Sequence, residues 1–312
     1  MTAESATAET KHPPLWKRAA RRFQRIDWLP PGLILPAVIL FSLLLGYPIL
    51  RGLYLSLFDV SILDRTGGEF VGLENYRQLL GDPRFWHSLW VTVTYTALSV
   101  VATYFIGLGI ALLLNREFRG SSIVQTGLIF PWAVPAVVAV LIFKWMLDAQ
   151  YGIVNDILMD IGIIDQPIAW LTSSASAFPA VVATTVWKQF PIAALVLLAG
   201  LKAVPVDIIE ASEVDGATAW QRFRHITIPS IRSVNYVLLL VLILQTFRRT
   251  VIVFTMTGGG PAKATETLPV YTFLEAFRGQ RIGYASTIGA AVLVLLLIIT
   301  VVYSVALLRG ED

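Results

Sequence analysis

The chain has 312 residues, 56% of them hydrophobic and 14% charged, with no cysteine and a formal net charge of +3. Soluble domains average about 45–50% apolar and about 25% charged residues, so this composition excludes an ordinary soluble enzyme, a disordered tail and a disulfide-stapled module, and leaves a polytopic membrane protein. Without cysteine there is no thiolate nucleophile and no cysteine-ligated metal, and the small, dispersed positive charge gives no footing for nucleic acid.

Residues 1–32 form a basic segment with Lys11, Lys17, Arg18, Arg21, Arg22 and Arg25, closing near Pro30-Pro31. The apolar stretch that follows is too long for the core of a cleaved leader and reads as a retained anchor. A helix needs about 20 mostly apolar residues to cross a bilayer core of about 30 Å. Six stretches meet that demand: Leu33 to Leu57, Leu89 to Leu114, Val124 to Leu147, Phe178 to Leu201, Val234 to Met256 and Tyr284 to Leu308. They make residues 33–308 a six-helix transmembrane domain of all-α class and leave 309–312 as a short tail. Pro36, Pro48, Pro131, Pro135 and Pro191 interrupt the helical pattern and mark expected kinks.

Six crossings place both termini on one side. That side collects thirteen Lys and Arg residues: those of the basic segment, Arg116, Arg119, Lys202, Arg222, Arg224, Arg232 and Arg309. The other side has six, Arg65, Arg77, Arg84, Lys263, Arg278 and Arg281. The excess of positive charge on cytoplasmic loops then predicts that both termini, and the loop at about residues 202–231, are cytoplasmic.

In that loop Pro205 with Asp207 suits a helix start and Gly216 a left-handed stop, which predicts two short helices meeting at Asp215-Gly216. Ala211, Ser212, Ala217 and Ala219 keep the surface narrow, while Glu210, Glu213 and Asp215 supply acceptors. Such a knob fits a groove in another protein. The pattern Glu210-Ala211-x-x-x-Asp215-Gly216-Ala217, closing with Ile226-x-Ile228-Pro229, resembles the EAA loop of ABC importer permeases. Ser212 stands where that family usually has a second alanine, and Ile228 where it has leucine.

Further segments narrow the resemblance to the carbohydrate-importer branch of the maltose and glycerol-phosphate type. They are Tyr47-Pro48 with Ser56-Leu57-Phe58, Phe70-Val-Gly72-Leu-Glu-Asn75-Tyr76, Tyr151-Gly152-Ile-Val-Asn155, Thr257-Gly258-Gly259-Gly260-Pro261 and Gly283-Tyr284-Ala285. In span five the chain departs from the family, which commonly carries Phe-Asp shortly after a basic position, where Arg248-Arg249-Thr250-Val251 stands here.

The resemblance implies a type I importer permease subunit for a sugar or related polyol, multi-pass in the bacterial inner membrane. It implies as partners a second permease subunit in a heterodimer, two ATPase subunits and an extracellular or periplasmic substrate-binding protein, besides membrane lipid. The ATPase-coupling residues would be Glu210, Ala211, Ser212, Glu213, Asp215, Gly216, Ala217, Trp220 and Phe223. No GxxxxGK[ST] occurs, so ATP and Mg are expected in the partner ATPase subunits and no cofactor in this chain. The chain has no HExxH, no GxSxG and no pair of span-embedded aspartates, which speaks against an intramembrane enzyme and a catalytic site. None of its 21 acidic residues sits centrally in a span, as an ion-coupled secondary carrier would need. His12, His87 and His225 lie outside the spans and read as solvated or interfacial, and no metal site is expected.

For the substrate path, Lys188 and Gln189 fall near the membrane midplane. Gln245 and Arg248, three apart, share a helix face that Arg249 does not. Trp132, Trp187 and Tyr271 are candidate platforms for a sugar ring. Structural readings stand beside these: Lys188 pairing with an acid of the second permease, Lys144 and Arg51 reaching toward the external interface, and the tryptophans in interfacial belts. The external loop Asp148 to Ala177 carries Asp148, Asp156, Asp160 and Asp165 and no basic residue. It either receives basic residues of a binding protein or is a solvated acidic loop.

Overall fold

The computed structural model describes residues 29–63, 67–116 and 118–309. Residues 1–28 of the basic segment, with His12, and Arg65 and the end of the tail lie outside the described residues. Two units, Met1–Gly52 and Leu53–Asp312, are each described by themselves. The first contains α1 (Leu29–Phe41), a π-helical turn at Ser42–Gly46 and most of α2 (Tyr47–Leu55). Leu33–Leu55 is long and apolar enough for a span, and its chain runs on through Pro36 and Pro48.

The second unit opens with a two-residue antiparallel pair, β1 (Phe58–Asp59) with β2 (Glu69–Phe70), then α3 (Glu74–Leu80). There follow α4 (Pro83–Leu114), α5 (Ser121–Leu128), α6 (Phe130–Ala133), α7 (Ala136–Met146) and α8 (Ile153–Asp160). Next come α9 (Ser174–Lys202), α10 (Val206–Val214), α11 (Ala219–Arg222), a π-helical turn at Phe223–Thr227 and α12 (Ile228–Ser230). The chain ends with α13 (Arg232–Phe247), α14 (Val251–Thr257), α15 (Leu268–Phe277) and α16 (Ile282–Arg309). Four helices among the described residues are long and apolar enough to cross a membrane, and up to six spans result if each bent pair is one.

Two expected spans are not single helices. The third bends by 92° between Ser121–Ala133 and Ala136–Met146. Pro135 has no N–H to give, and Val134 takes the extended conformation that a residue before proline prefers (φ −59°, ψ 129°). The fifth, expected from Val234 to Met256, stops at Phe247 and resumes at Val251, with Arg248, Arg249 and Thr250 in the gap. Pro191, by contrast, breaks nothing: α9 runs through it and Pro179. Neighbouring helices and local adjustment let a membrane helix tolerate such prolines.

Packing follows from side-chain size. Lipid tails are as apolar as leucine, so helices in a membrane associate through close approach and interhelical hydrogen bonds. Helix α4 buries Ser88, Thr92, Thr96, Ser99 and Thr103 at spacings of three and four, with Gly107 and Ala111 extending the stripe. Where the stripe meets α9, Tyr95 and Thr185 hydroxyls bond at 2.7 Å, and a Cβ added to Gly107 would lie 3.0 Å from Ala193 Cβ. These pairings, with Leu114 and Leu201 in one cluster, show α4 and α9 running parallel. Helix α13 is antiparallel to both: Ile231 and Leu238 join that same cluster, while Thr246 bonds Gln189 further along. Helix α16 begins beside Asp82, where Tyr284 bonds it at 2.8 Å, and later passes Tyr236, whose carbonyl accepts from Tyr303 at 2.8 Å. The ends of α4, α9 and α16, the start of α13 and the loop of 203–231 therefore share one end of the unit, here the loop end. Their opposite termini gather at the far end.

Candidate coupling loop and membrane path

At the loop end the expected two-helix knob forms. Helix α10 ends at Val214 with Asp215 as its cap, and Gly216 turns the chain at φ +78°, a conformation side chains with a Cβ resist. Thr218 then caps α11: its hydroxyl accepts from Gln221 N–H at 3.3 Å, and the Gln221 side chain accepts from Thr218 N–H at 2.8 Å. Arg222 ties the helices together, meeting Glu213 Oε1 at 3.0 Å and donating to Ala217 O at 3.3 Å. Ser212, where the resemblance expected alanine, is buried and donates to Ile209 O at 2.6 Å. Trp220 stacks on Phe223 with ring centres 5.4 Å apart. Glu210, Ala211, Glu213 and Asp215 are exposed, as are Val214 and Trp220, while Ala217 and Phe223 are partly covered. The knob is thus internally braced, with apolar and acidic groups outward.

The helices on either side of the knob carry the polar residues, at the middle of α9 and at the far end of α13. Lys188 lies 14 residues from each end of α9 (174 to 188, 188 to 202). Its ammonium donates to the carbonyl of Trp132 at 3.0 Å and to that of Val134. It thereby takes up backbone acceptors freed by the Pro135 bend. Gln189 is buried and shares two side-chain hydrogen bonds with Thr246, at 3.2 and 3.3 Å. Gln245 and Arg248 are exposed and Arg249 is half-buried; Arg248 stands just past the end of α13, so the shared helix face expected from the spacing does not extend to it. Trp132 is exposed, and Trp187 is partly covered, edge-on to Phe143 at 5.3 Å.

Tyr271 stands elsewhere. It is 2% exposed at the far end, its hydroxyl donates to Asp82 at 2.5 Å, and Arg84 covers its ring at 4.4 Å from the centroid. A ring so covered has no free face for a sugar, which corrects its expected place on the path.

Around Tyr271 lies an ion cluster that sequence reading missed. Arg84 bonds Glu266 at 2.7 and 2.8 Å and Glu275 at 2.7 Å, and Arg281 approaches Glu275 at 3.6 Å. Burial pushes the Asp82 carboxyl up, but hydrogen bonds from Tyr271, Tyr284 and the Arg84 N–H, with the Arg84 charge, outweigh it and hold the group below its ordinary value. The only local sign was an arginine in the first turn of an apolar helix, directly after Asp82-Pro83.

Several of the resemblance segments serve as pins at this end. Asn75 donates to Ser56 O and Phe58 O, both at 3.0 Å. Asn155, 1% exposed, donates to Asp148 O and Ile168 O and accepts from Ile168 N–H and the Trp170 indole. The glycine run at 258–260 turns back as expected, held by Thr265, whose hydroxyl contacts Thr257 at 2.6 Å and Gly260 O at 2.8 Å. In the 148–177 loop Asp156, Asp160 and Asp165 are exposed, while Asp148 accepts from the N–H groups of Gln150 and Tyr151. His87 and His225 lie against the backbone carbonyls of Lys263 and Gln221.

Comparison with known families places this architecture. Residues 80–309 match the binding-protein-dependent transport system inner membrane component. The chain belongs to that family. Among curated relatives, the permease is 37% identical over 307 residues to the sulfoquinovosyl glycerol transport system permease protein SmoG of Agrobacterium fabrum, covering 97% of each chain. It is 35% identical over 272 residues to the trehalose/maltose transport system permease protein MalF of Thermococcus litoralis, covering 87% of this chain and 90% of that one. A bacterial ABC transporter chain involved in the import of the acidic polysaccharide alginate superposes with a TM-score of 0.79 at 23% identity, covering 96% of this chain and 99% of that one, and so shares the fold. The permease is accordingly a multi-pass inner-membrane component with the type I importer fold, a transport subunit and not an enzyme.

Proposed function

We propose that the permease forms half of the translocation path for a sugar or related polyol and is driven through its 202–231 loop by a separate ATPase. The observation that carries this reading is connectivity. The braced knob from Glu210 to Phe223 lies between the end of α9, which bears Lys188 and Gln189 at its middle, and the start of α13, which bears Gln245 near its other end with Arg248 just beyond. A displacement of the knob is therefore delivered directly to the walls of the path. The sugar assignment draws on relatives whose names specify sulfoquinovosyl glycerol, trehalose/maltose and diacetylchitobiose transport.

In this scheme the second permease subunit completes the path and two ATPase subunits bind ATP and Mg. A substrate-binding protein delivers the ligand at the far end, where the exposed aspartates of the 148–177 loop face its basic residues. With both termini and the knob cytoplasmic, ATPase closure pushes the knob and the helices shift from inward-facing to outward-facing as rigid groups. The test is purification of the tagged chain from its native membrane in mild detergent. Recovery of a Walker-A ATPase and a second permease, with ATP hydrolysis raised by a sugar-loaded binding protein, supports the scheme. Recovery of the chain alone overturns it.

A further inference from the structure

We infer that the break in span five is an anion-binding subsite, and that the transported carbohydrate bears an acidic group. This rests on the carbohydrate-permease reading above. Arg248 and Arg249 stand in the gap between α13 and α14, level with the middle of α9, because Thr246 just before them bonds Gln189, the neighbour of Lys188. Lys188 lies about 21 Å along the axis from either end of its helix at 1.5 Å per residue. Arg249, three residues beyond Thr246, and Lys188, next to Gln189, are brought to the same level by that hydrogen bond. Three cations therefore share one level of the membrane interior.

Nothing in the long helices neutralises them: among the described residues, none of the acidic side chains lies in α4, α9, α13 or α16. A charge at this depth needs a partner. Lys188 has backbone carbonyls, but Arg249 Nε is buried and has no hydrogen-bond partner among the described residues. Arg248 and Gln245 are exposed close by in the chain. A guanidinium presents a planar fork of donors that fits carboxylate, sulfonate or phosphate oxygens, and does so best where water is scarce. A neutral sugar would leave the cations uncompensated, whereas an acidic one meets the buried Nε with charge and uses Gln245 for its hydroxyls. This is also where the chain departs from the pattern of the carbohydrate importers it resembles.

The test uses the transporter assembled with its partner subunits in lipid nanodiscs. It is titrated with glucose, glucuronate, glucose 6-phosphate and glucose 6-sulfonate, followed by tryptophan fluorescence. At least one anionic sugar is expected to bind about tenfold or more tighter than glucose, with the advantage shrinking as salt rises. Arg249→Gln and Arg248→Gln should each lower its affinity toward that of glucose, and Arg249→Lys should keep part of the preference. Because Arg248 is exposed, its variant preserves the test if the Arg249 variants fail to fold. Equal affinity for glucose and the anions overturns the inference and leaves the carbohydrate reading standing. Binding of none of them overturns both. Loss of the second permease from Arg249→Gln complexes on gel filtration assigns the arginine to a subunit contact and likewise overturns the inference.

Discussion

Arg84 and Glu266, 182 residues apart in the chain, meet in a two-pronged ion pair, Nε to Oε1 at 2.7 Å and Nη2 to Oε2 at 2.8 Å. The third prong, Nη1, reaches Glu275 Oε1 at 2.7 Å. One guanidinium thus ties the start of α4 to both ends of the segment that caps the far end of the bundle.

Removing that guanidinium should be costly. The Glu266 side chain is only 4% exposed, so Arg84→Gln leaves a buried carboxylate without its counter-charge. Losing one partner of a buried pair typically costs about 3–5 kcal/mol, and with Arg84 itself 27% exposed the lower end of that range is expected. Arg84→Lys should recover only part, because an ammonium cannot make the fork. Thermal unfolding of the purified permease in detergent measures both.

Asp82 sets an acid limit. Its pKa in the fold lies below the ordinary 3.8, so its contribution is fully present above about pH 4 and is lost as pH falls through the folded value. The melting temperature of the wild type should fall below about pH 4 more steeply than that of Asp82→Asn, which starts lower and has no carboxylate there to protonate. Parallel pH profiles for the two proteins would show that the carboxylate contributes nothing.

Asn155 is expected to decide the order of the 148–177 loop. Asn155→Ala leaves the Ile168 N–H and the Trp170 indole without their shared acceptor. A buried unsatisfied donor costs about 1–3 kcal/mol, which falls on this loop and not on the helices. Limited proteolysis should then cut between 148 and 173 several times faster than in the wild type, with little change in the unfolding temperature.

Gly216→Val tests the knob. A β-branched side chain at φ +78° opposes the turn by about 1–2 kcal/mol, while open space around the position means no clash with the rest of the protein. The variant should accumulate in the membrane and yet recover five- to thirtyfold less ATPase on purification. Undiminished ATPase recovery and coupled hydrolysis would leave the knob as a mere connector.

Much of this molecule is written locally. Long apolar runs can only be helices in a bilayer, because every backbone group must find its partner within the segment, and six such runs were plain in the sequence. The knob was equally legible, since the Pro205-Asp207 start, a left-handed glycine and the Glu210 to Pro229 pattern all act over a few residues. The regular spacing of small and hydroxyl residues in α4 also lay open to reading, as it marks the face that meets α9. What the sequence by itself determined was therefore the class, the number of apolar stretches and the handle.

Tertiary structure alone decided the rest. That Lys188 holds the carbonyls of a bent third span, that Gln189 locks onto Thr246 and that Tyr271 lies beneath Arg84 depend on which residues meet across tens or hundreds of positions. The same holds for the buried Nε of Arg249. A charge in an apolar run announces only that it needs a partner. Whether that partner is a carbonyl, a hydroxyl or a passing anion is settled by the helices that pack around it, because in a low-dielectric interior the energy of a polar group depends almost entirely on its immediate neighbours.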